Sequence, residues 1–183
     1  MKHAWGDPPA LAAWTWTAAT SAAGAHCRWP YVQCDSSSRV TTLKLVSVNI
    51  TGPISDAIGV FSNLAKLDLS NNSIDRRPLE YNGLTGTIPT ELGELSLLET
   101  LSLAYNSFDP GKLPTSFRNM TKLVRLWAGG CGLVGNFPSY VVIMKTELEL
   151  LNLADNSLTG SLPPEVWSLN KLQFLIVATL PDT

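Results

Sequence analysis

Leu98-Glu-Thr-Leu-Ser-Leu-Ala-Tyr-Asn106, Leu123-Val-Arg-Leu-Trp-Ala-Gly-Gly-Cys131 and Leu148-Glu-Leu-Leu-Asn-Leu-Ala-Asp-Asn156 follow one pattern, LxxLxLxx closed by Asn or Cys. The alternation of leucine with other residues is the period of a strand with one face buried. An Asn or Cys at the end of each line can bond backbone groups that a turn leaves unpaired. A strand unit recurring down the chain cannot bury its apolar face alone; it does so by stacking on its neighbours, which makes a solenoid. That shape presents a surface rather than an enclosed cleft.

The first apolar position of each unit falls at Val40, Leu64, Leu98, Leu123, Leu148 and Leu172, with spacings of 24, 34, 25, 25 and 24 residues. A second signature follows four of the strands: Ile50-Thr-Gly-Pro-Ile54, Leu84-Thr-Gly-Thr-Ile-Pro89, Leu133-Val-Gly-Asn-Phe-Pro138 and Leu158-Thr-Gly-Ser-Leu-Pro163. Its Gly permits a sharp backbone change and its Pro ends ladder pairing. The apolar stretches at 89–95 and 163–169 then suit a 3₁₀ or single-turn helix on the convex side. Each coil reads as strand, Asn corner, second turn and short helix.

The 34-residue step breaks the rhythm. Asn72 and Asn82 share an Asn-x-Ile/Leu setting 10 residues apart, and Asn82 lies 24 residues before Asn106. Two accounts compete: a polar excursion through Ser73-Ile-Asp-Arg-Arg-Pro-Leu-Glu80, or two coils fused by loss of about 14 residues, either one with a strand absent. We take the excursion, with an irregular loop at 75–83. Its Asp75–Glu80 part is expected to be mobile and cut by trypsin at Arg76, since solenoids accept insertions as loops on one face.

Residues 1–39 read as an N-terminal cap, and 40–183 as five coils with a partial sixth. Asp7 is a candidate helix N-cap with Pro8 at the first helical position. Cys27-Arg-Trp-Pro-Tyr-Val-Gln-Cys34 brackets aromatic residues just ahead of the first strand, where an open solenoid has to cover its first apolar coil. A Cys27–Cys34 disulfide is the expectation. Metal binding is the rival for a close Cys pair, with only His26 beside it and His3 remote. Cys131 falls at the ladder position held by Asn72, Asn106 and Asn156. It reads as a buried free thiol, with a reactive or intermolecular Cys as the alternative. Beyond Leu172 a coil begins and the chain stops, leaving an apolar edge.

The chain has 183 residues, 45% hydrophobic, with a formal charge of −2. That fits one domain and gives no electrostatic case for nucleic acid. No stretch is long enough for a membrane segment, and no signal peptide precedes the cap, because Met1-Lys2-His3-Ala4-Trp5 runs directly into it. The cysteine pair and three Asn-x-Ser/Thr acceptors, Asn49, Asn71 and Asn119, still point to a secretory destination. Asn71, at the concave end of a strand, is the poorest acceptor of the three. Nothing in the sequence asks for a cofactor.

The Cys-x-Trp-x-x-Val-x-Cys cap (Cys27, Trp29, Val32, Cys34) followed by LxxLxLxxNxLTGxIP coils resembles the plant-specific class of extracellular leucine-rich repeats. Trp5-Gly-Asp-Pro-Pro-Ala-Leu-Ala-Ala-Trp14, the Asp-Pro-Gly at Asp109 to Gly111 and Leu126-Trp-Ala-Gly-Gly-Cys131 are most similar to the ectodomain start of HAESA-like, peptide-sensing receptor-like kinases. The resemblance implies an α/β solenoid wound as a right-handed superhelix. Short parallel strands line its concave face, 3₁₀ and short helices its convex face, and a disulfide staples its cap. It also implies an extracellular ectodomain at the plasma membrane that binds a secreted peptide or protein ligand, with a possible co-receptor, a membrane span and a kinase further along. The family usually has more coils, a complete coil at the 34-residue step and a C-terminal cap.

Counting outward strand positions gives candidate ligand contacts at Lys66, Asp68, Tyr105, Arg125, Trp127, Asn152 and Asp155. Arg125 with Trp127 stands out, because exposed Trp beside Arg is the composition of binding hot spots; Trp127 as filler between coils is the rival. Gly129 and Gly130 are expected to leave room for a ligand backbone. Catalysis finds no support. Both histidines lie in the cap, and Asp68 and Asp155, more than two coils apart at about 4.8 Å per strand, are too distant for a carboxylate pair. The leading function is recognition of an extended peptide in signalling or defence. The alternatives are a secreted inhibitor of microbial cell-wall-degrading enzymes, which needs a charged protein-sized patch, and a truncated product without autonomous receptor activity.

Overall fold

The computed structural model describes residues 2–15, 24–72, 83–143 and 147–177. Among these residues the strands are β1 (Val32–Cys34), β2 (Val40–Lys44), β3 (Gly52–Pro53), β4 (Lys66–Asp68), β5 (Leu84–Thr85), β6 (Thr100–Ser102), β7 (Arg125–Trp127), β8 (Val134–Asn136), β9 (Leu150–Asn152), β10 (Ser157–Thr159) and β11 (Phe174–Ile176). Seven form one sheet in the order β1-β2-β4-β6-β7-β9-β11. β1 runs antiparallel to β2, and every later neighbour is parallel. The register aligns Leu43, Leu67, Leu101, Leu126, Leu151 and Leu175 in one inward row. The first five are no more than 2% exposed, and burying each leucine contributes about 1.5–3 kcal/mol.

The convex side carries 3₁₀ helices at Asp56–Val60, Thr90–Glu94, Thr115–Asn119 and Pro164–Ser168, and one α-helical turn, α1 (Tyr140–Ile143). Proline opens three of the 3₁₀ helices as Pro89, Pro114 and Pro163, and Ser55 opens the first, its side chain accepting from Ala57 N–H. Each turn sinks an apolar residue, Ile58, Leu92, Phe117, Val141 or Val166, under the sheet. Between strand and helix, β3 pairs with β5 and β8 with β10 in two small parallel sheets. The coil between these sheets carries Asp109-Pro110-Gly111, where pairing shrinks to a single bridge from Gly111 to Leu133. Pro110 has no N–H to give to a ladder.

Across the 34-residue step β4 pairs directly with β6, Leu67 opposite Leu101. Among the described residues no strand lies between β4 and β6 in the sheet. Asn106 spans the break. Its Nδ2 donates to Leu69 O on one side, and its Oδ1 accepts from Leu84 N–H on the other. Asn72 does the same for the preceding coil with Leu45 O and Ile50 N–H. Leu84 thus stands to Asn106 as Ile50 stands to Asn72. Residues 73–82, which hold most of the loop read at 75–83 and the Arg76 site, lie outside the described residues.

The cap buries Trp5 and Leu11 completely. Its disulfide joins Cys27 to Cys34 with Cα atoms 5.6 Å apart, and closing so short a loop contributes about 2–3 kcal/mol. His26 lies beside the two sulfurs, but they are bonded to each other and His26 Nε2 faces Ser38 O at 3.0 Å. Trp14 stacks on Trp29, with centroids 5.5 Å apart. Asp7 does not cap a helix: the 3₁₀ turn is Pro9–Leu11, Pro8 precedes it in extended conformation, and Asp7 Oδ2 pairs with His3 Nδ1 at 2.7 Å. Two consecutive prolines explain the shift, because a residue followed by Pro is disfavoured in the helical region. No helix among the described residues is long and apolar enough to cross a membrane.

Candidate recognition surface

The chain leaves β2, β4, β6, β7 and β9 through a left-handed residue: Ser47 (φ 54°), Asn71 (56°), Tyr105 (56°), Gly130 (61°) and Asp155 (55°). For residues other than Gly that conformation costs about 1–2 kcal/mol, and it persists because the next position is clamped by the ladder. At Cys131 the backbone N–H donates to Asn156 Oδ1 at 2.9 Å, and the sulfur faces Leu103 O at 3.2 Å. Desolvation pushes the Cys131 thiol from an ordinary 9.0 up to about 12.

The fold therefore holds Cys131 as the neutral thiol. Its contribution is intact below pH 9.0 and declines as pH rises toward about 12, where the folded-state group ionises. We expect iodoacetamide at pH 8 to label Cys131 only after unfolding. Mass spectrometry showing prompt labelling of native protein would contradict this.

Two outward rows flank the leucines. One runs Thr42, Lys66, Thr100, Arg125, Leu150, Phe174 and the other Lys44, Asp68, Ser102, Trp127, Asn152, Ile176. Five of the candidate contacts, Lys66, Asp68, Arg125, Trp127 and Asn152, thus share one sheet face. Tyr105 and Asp155 stand beyond them on the rim where the strands end. Trp127 is half-buried between Ser102 and Asn152. Asp68 Oδ1 accepts from both N–H and Oγ of Ser70, and Asn152 Oδ1 accepts from Ala154 N–H.

Two features differ from the sequence expectation. The Arg125 guanidinium donates to Glu149 Oε2 at 2.9 Å, an exposed pair worth little in itself that nonetheless fixes the direction of the side chain. Glu149 was not among the candidates; its signal is its place just ahead of Leu150, the residue aligned with Arg125. The room left by Gly130 is not empty. A Cβ there would stand 2.9 Å from Tyr105 Cδ1, so the Tyr105 ring occupies that space, and its hydroxyl donates to Asp155 Oδ2 at 3.4 Å.

The pattern of the Leucine Rich Repeat family matches residues 63–95, 97–120 and 147–169, the stretches whose strands stack in register above. This chain is a leucine-rich repeat solenoid. Receptor-like kinase TMK2 of Arabidopsis thaliana is 28% identical over 167 residues, 82% of this chain and 19% of TMK2. The leucine-rich repeat ectodomain of GASSHO1/SCHENGEN3 from Arabidopsis thaliana, crystallised with CASPARIAN STRIP INTEGRITY FACTOR 2, superposes with a TM-score of 0.77 and 32% identity over 94% of this chain and 19% of that one. The Arabidopsis HAESA ectodomain, solved with an N-terminally extended IDA peptide hormone, gives a TM-score of 0.51 and 26% identity over 96% of this chain and 39% of that one. The leucine-rich repeat fold here is that of plant receptor-kinase ectodomains, the extracellular parts of such receptors. The chain spans about a fifth of the length of TMK2.

Proposed function

We propose that this chain is an extracellular recognition module that binds an extended secreted peptide along its concave face, as part of a plant receptor-like kinase acting in signalling or defence. In this reading residues 1–39 are the cap and 40–183 the recognition coils. The observation that carries it is β7, which sets a half-buried Trp127 two residues from an Arg125 held in direction by Glu149, both on the outward face. An indole on a rigid strand offers apolar area with little rotamer entropy to lose, and Trp and Arg dominate binding energies. That the similar GASSHO1/SCHENGEN3 and HAESA ectodomains were solved in complex with CASPARIAN STRIP INTEGRITY FACTOR 2 and an IDA peptide hormone supports a ligand-binding role. Six parallel strands give a track of about 24 Å, room for about seven extended residues.

Display selection of seven-residue peptides on the folded chain tests this. The enriched peptides should lose binding to Trp127→Ala and keep it to Trp167→Ala, a convex-side indole that is 76% exposed. Loss with Trp167→Ala alone would overturn the reading.

Glycans give an independent check. Asn49, Asn71 and Asn119 are all exposed, but Asn71 donates its amide to Ser47 Oγ at 2.8 Å and stands on the concave rim. Glycopeptide mapping of plant-expressed protein should find sugar at Asn49 and Asn119 and none at Asn71. An occupied Asn71 would place a glycan over the proposed track.

A further inference from the structure

We propose that Tyr105, Gly130 and Asp155 form a seat for a basic side chain, the guanidinium of Arg or the ammonium of Lys, carried by the peptide on the concave face. This rests on the recognition reading above and adds the chemistry that one position of the ligand must have. The three residues stand 25 apart in sequence, so the coil repeat brings them to the same corner of three successive turns. All three are left-handed, at φ 56°, 61° and 55°.

Gly130 is the floor. A Cβ on it would lie 2.9 Å from Tyr105 Cδ1 and 3.3 Å from Cε1, so the ring rests against glycine backbone and a side chain there would push it away. With the ring in that position the phenol reaches over one coil to Asp155 Oδ2. Tyr105 remains 53% exposed, and Asp155 is exposed as well. Among the strand-exit residues Ser47, Asn71, Tyr105, Gly130 and Asp155, only the last carries a charge. Among the described residues no Lys, Arg or His pairs with it, although Glu149 is paired with Arg125 and Glu147 with Lys171.

An aromatic ring fixed beside a carboxylate selects for a cation. The negative face of the ring attracts it, and the carboxylate supplies a charge-assisted hydrogen bond. A ligand carboxylate there would meet like charge, and an apolar residue would desolvate Asp155 with only the Tyr105 phenol to bond it. The phenol donates to one carboxylate oxygen and leaves the other free to accept. Because the ring is held in place by Gly130, the seat exists before the ligand arrives.

N-acetyl-L-arginine amide and its neutral analogue N-acetyl-L-citrulline amide, titrated into isotopically labelled protein, test the seat directly. The arginine compound should shift the amide resonances of Tyr105, Gly130 and Asp155 saturably, and the citrulline compound should bind at least fivefold more weakly. Asp155→Asn should abolish the difference. Equal shifts from both compounds, or shifts elsewhere in the chain, would overturn the seat. Peptide selection separates this inference from the recognition reading. Peptides enriched on the wild-type protein should contain Arg or Lys and lose at least tenfold in affinity for Asp155→Asn. Enriched peptides without a basic residue that ignore Asp155→Asn would sink the seat and leave peptide recognition standing. A positive arginine titration with no enriched peptide would keep the seat and sink peptide recognition; failure of both sinks both.

Discussion

Replacing Asn106 by alanine is expected to destabilise the solenoid by about 3–5 kcal/mol, read as a fall in the urea midpoint at constant slope. Asn106 is 6% exposed. Its Oδ1 accepts from Leu84 N–H at 3.3 Å, and its Nδ2 donates to Leu69 O at 2.9 Å and Leu103 O at 2.8 Å. Alanine would take the side-chain acceptor from Leu84 N–H and one donor each from Leu69 O, which keeps Asn72 Nδ2, and from Leu103 O, which keeps only the weak Cys131 thiol, at about 1–3 kcal/mol for each buried group so weakened before water or relaxation recovers part of it. The position makes the loss worse than elsewhere in the ladder, because Asn106 ties together both ends of the coil that holds the ten-residue excess. Asn156 makes equivalent bonds to Cys131 N–H, Leu133 N–H, Ala128 O and Leu153 O, but it is only half-buried. Asn156→Ala should therefore lose about 1–2 kcal/mol. An Asn106→Ala loss below that of Asn156→Ala would show that the clamp is not what closes the irregular coil.

Leu126→Ala and Trp127→Ala, adjacent on β7, should fail in opposite ways. Leu126 is 1% exposed and aligned between Leu101 and Leu151, so truncation opens a cavity in a row that each coil shares with its neighbours. A loss of about 2–5 kcal/mol is expected. In a solenoid that damage falls on two interfaces at once, since stability is summed from nearest-neighbour contacts. Trp127 faces outward, so Trp127→Ala should lower selected-peptide affinity by about 1–3 kcal/mol while changing fold stability by less than Leu126→Ala. Thermal melts and calorimetric titration of both variants separate the cases. A large melting-point drop with unchanged affinity for Trp127→Ala would assign the indole to packing between coils.

How far the sequence reached depends on what each feature rests on. The inward leucines and outward rows follow from a period of 2 inside each strand and about 24 between strands, both visible without coordinates. The 34-residue step stands out in the letters because the spacing from Asn82 to Asn106 restores the repeat. What the letters did not carry was that Asn106 bonds to both sides of the break, which depends on β4 meeting β6 directly. Asp7 was misread because capping statistics favour Asp before Pro, while the second proline, Pro9, moves the first helical residue along. The candidate surface was legible as rows but not as contacts. Arg125 and Glu149 are 24 residues apart and become neighbours only once Arg125 is aligned with Leu150. Gly130 looked like open space because the ring that fills it comes from the previous coil. The lean of a side chain across coils is set by rotamer and packing, and no spacing encodes it.

Photo-crosslinking with a diazirine-bearing peptide selected on the folded chain tests the central claim most directly, because it reports the face that is touched rather than the energy. Mass spectrometry should place the adducts on the outward face and rim of the sheet, at Arg125, Trp127, Leu150, Asn152 and Tyr105. Adducts confined to the convex helices, at residues 56–60, 90–94 and 164–168, would contradict concave-face recognition.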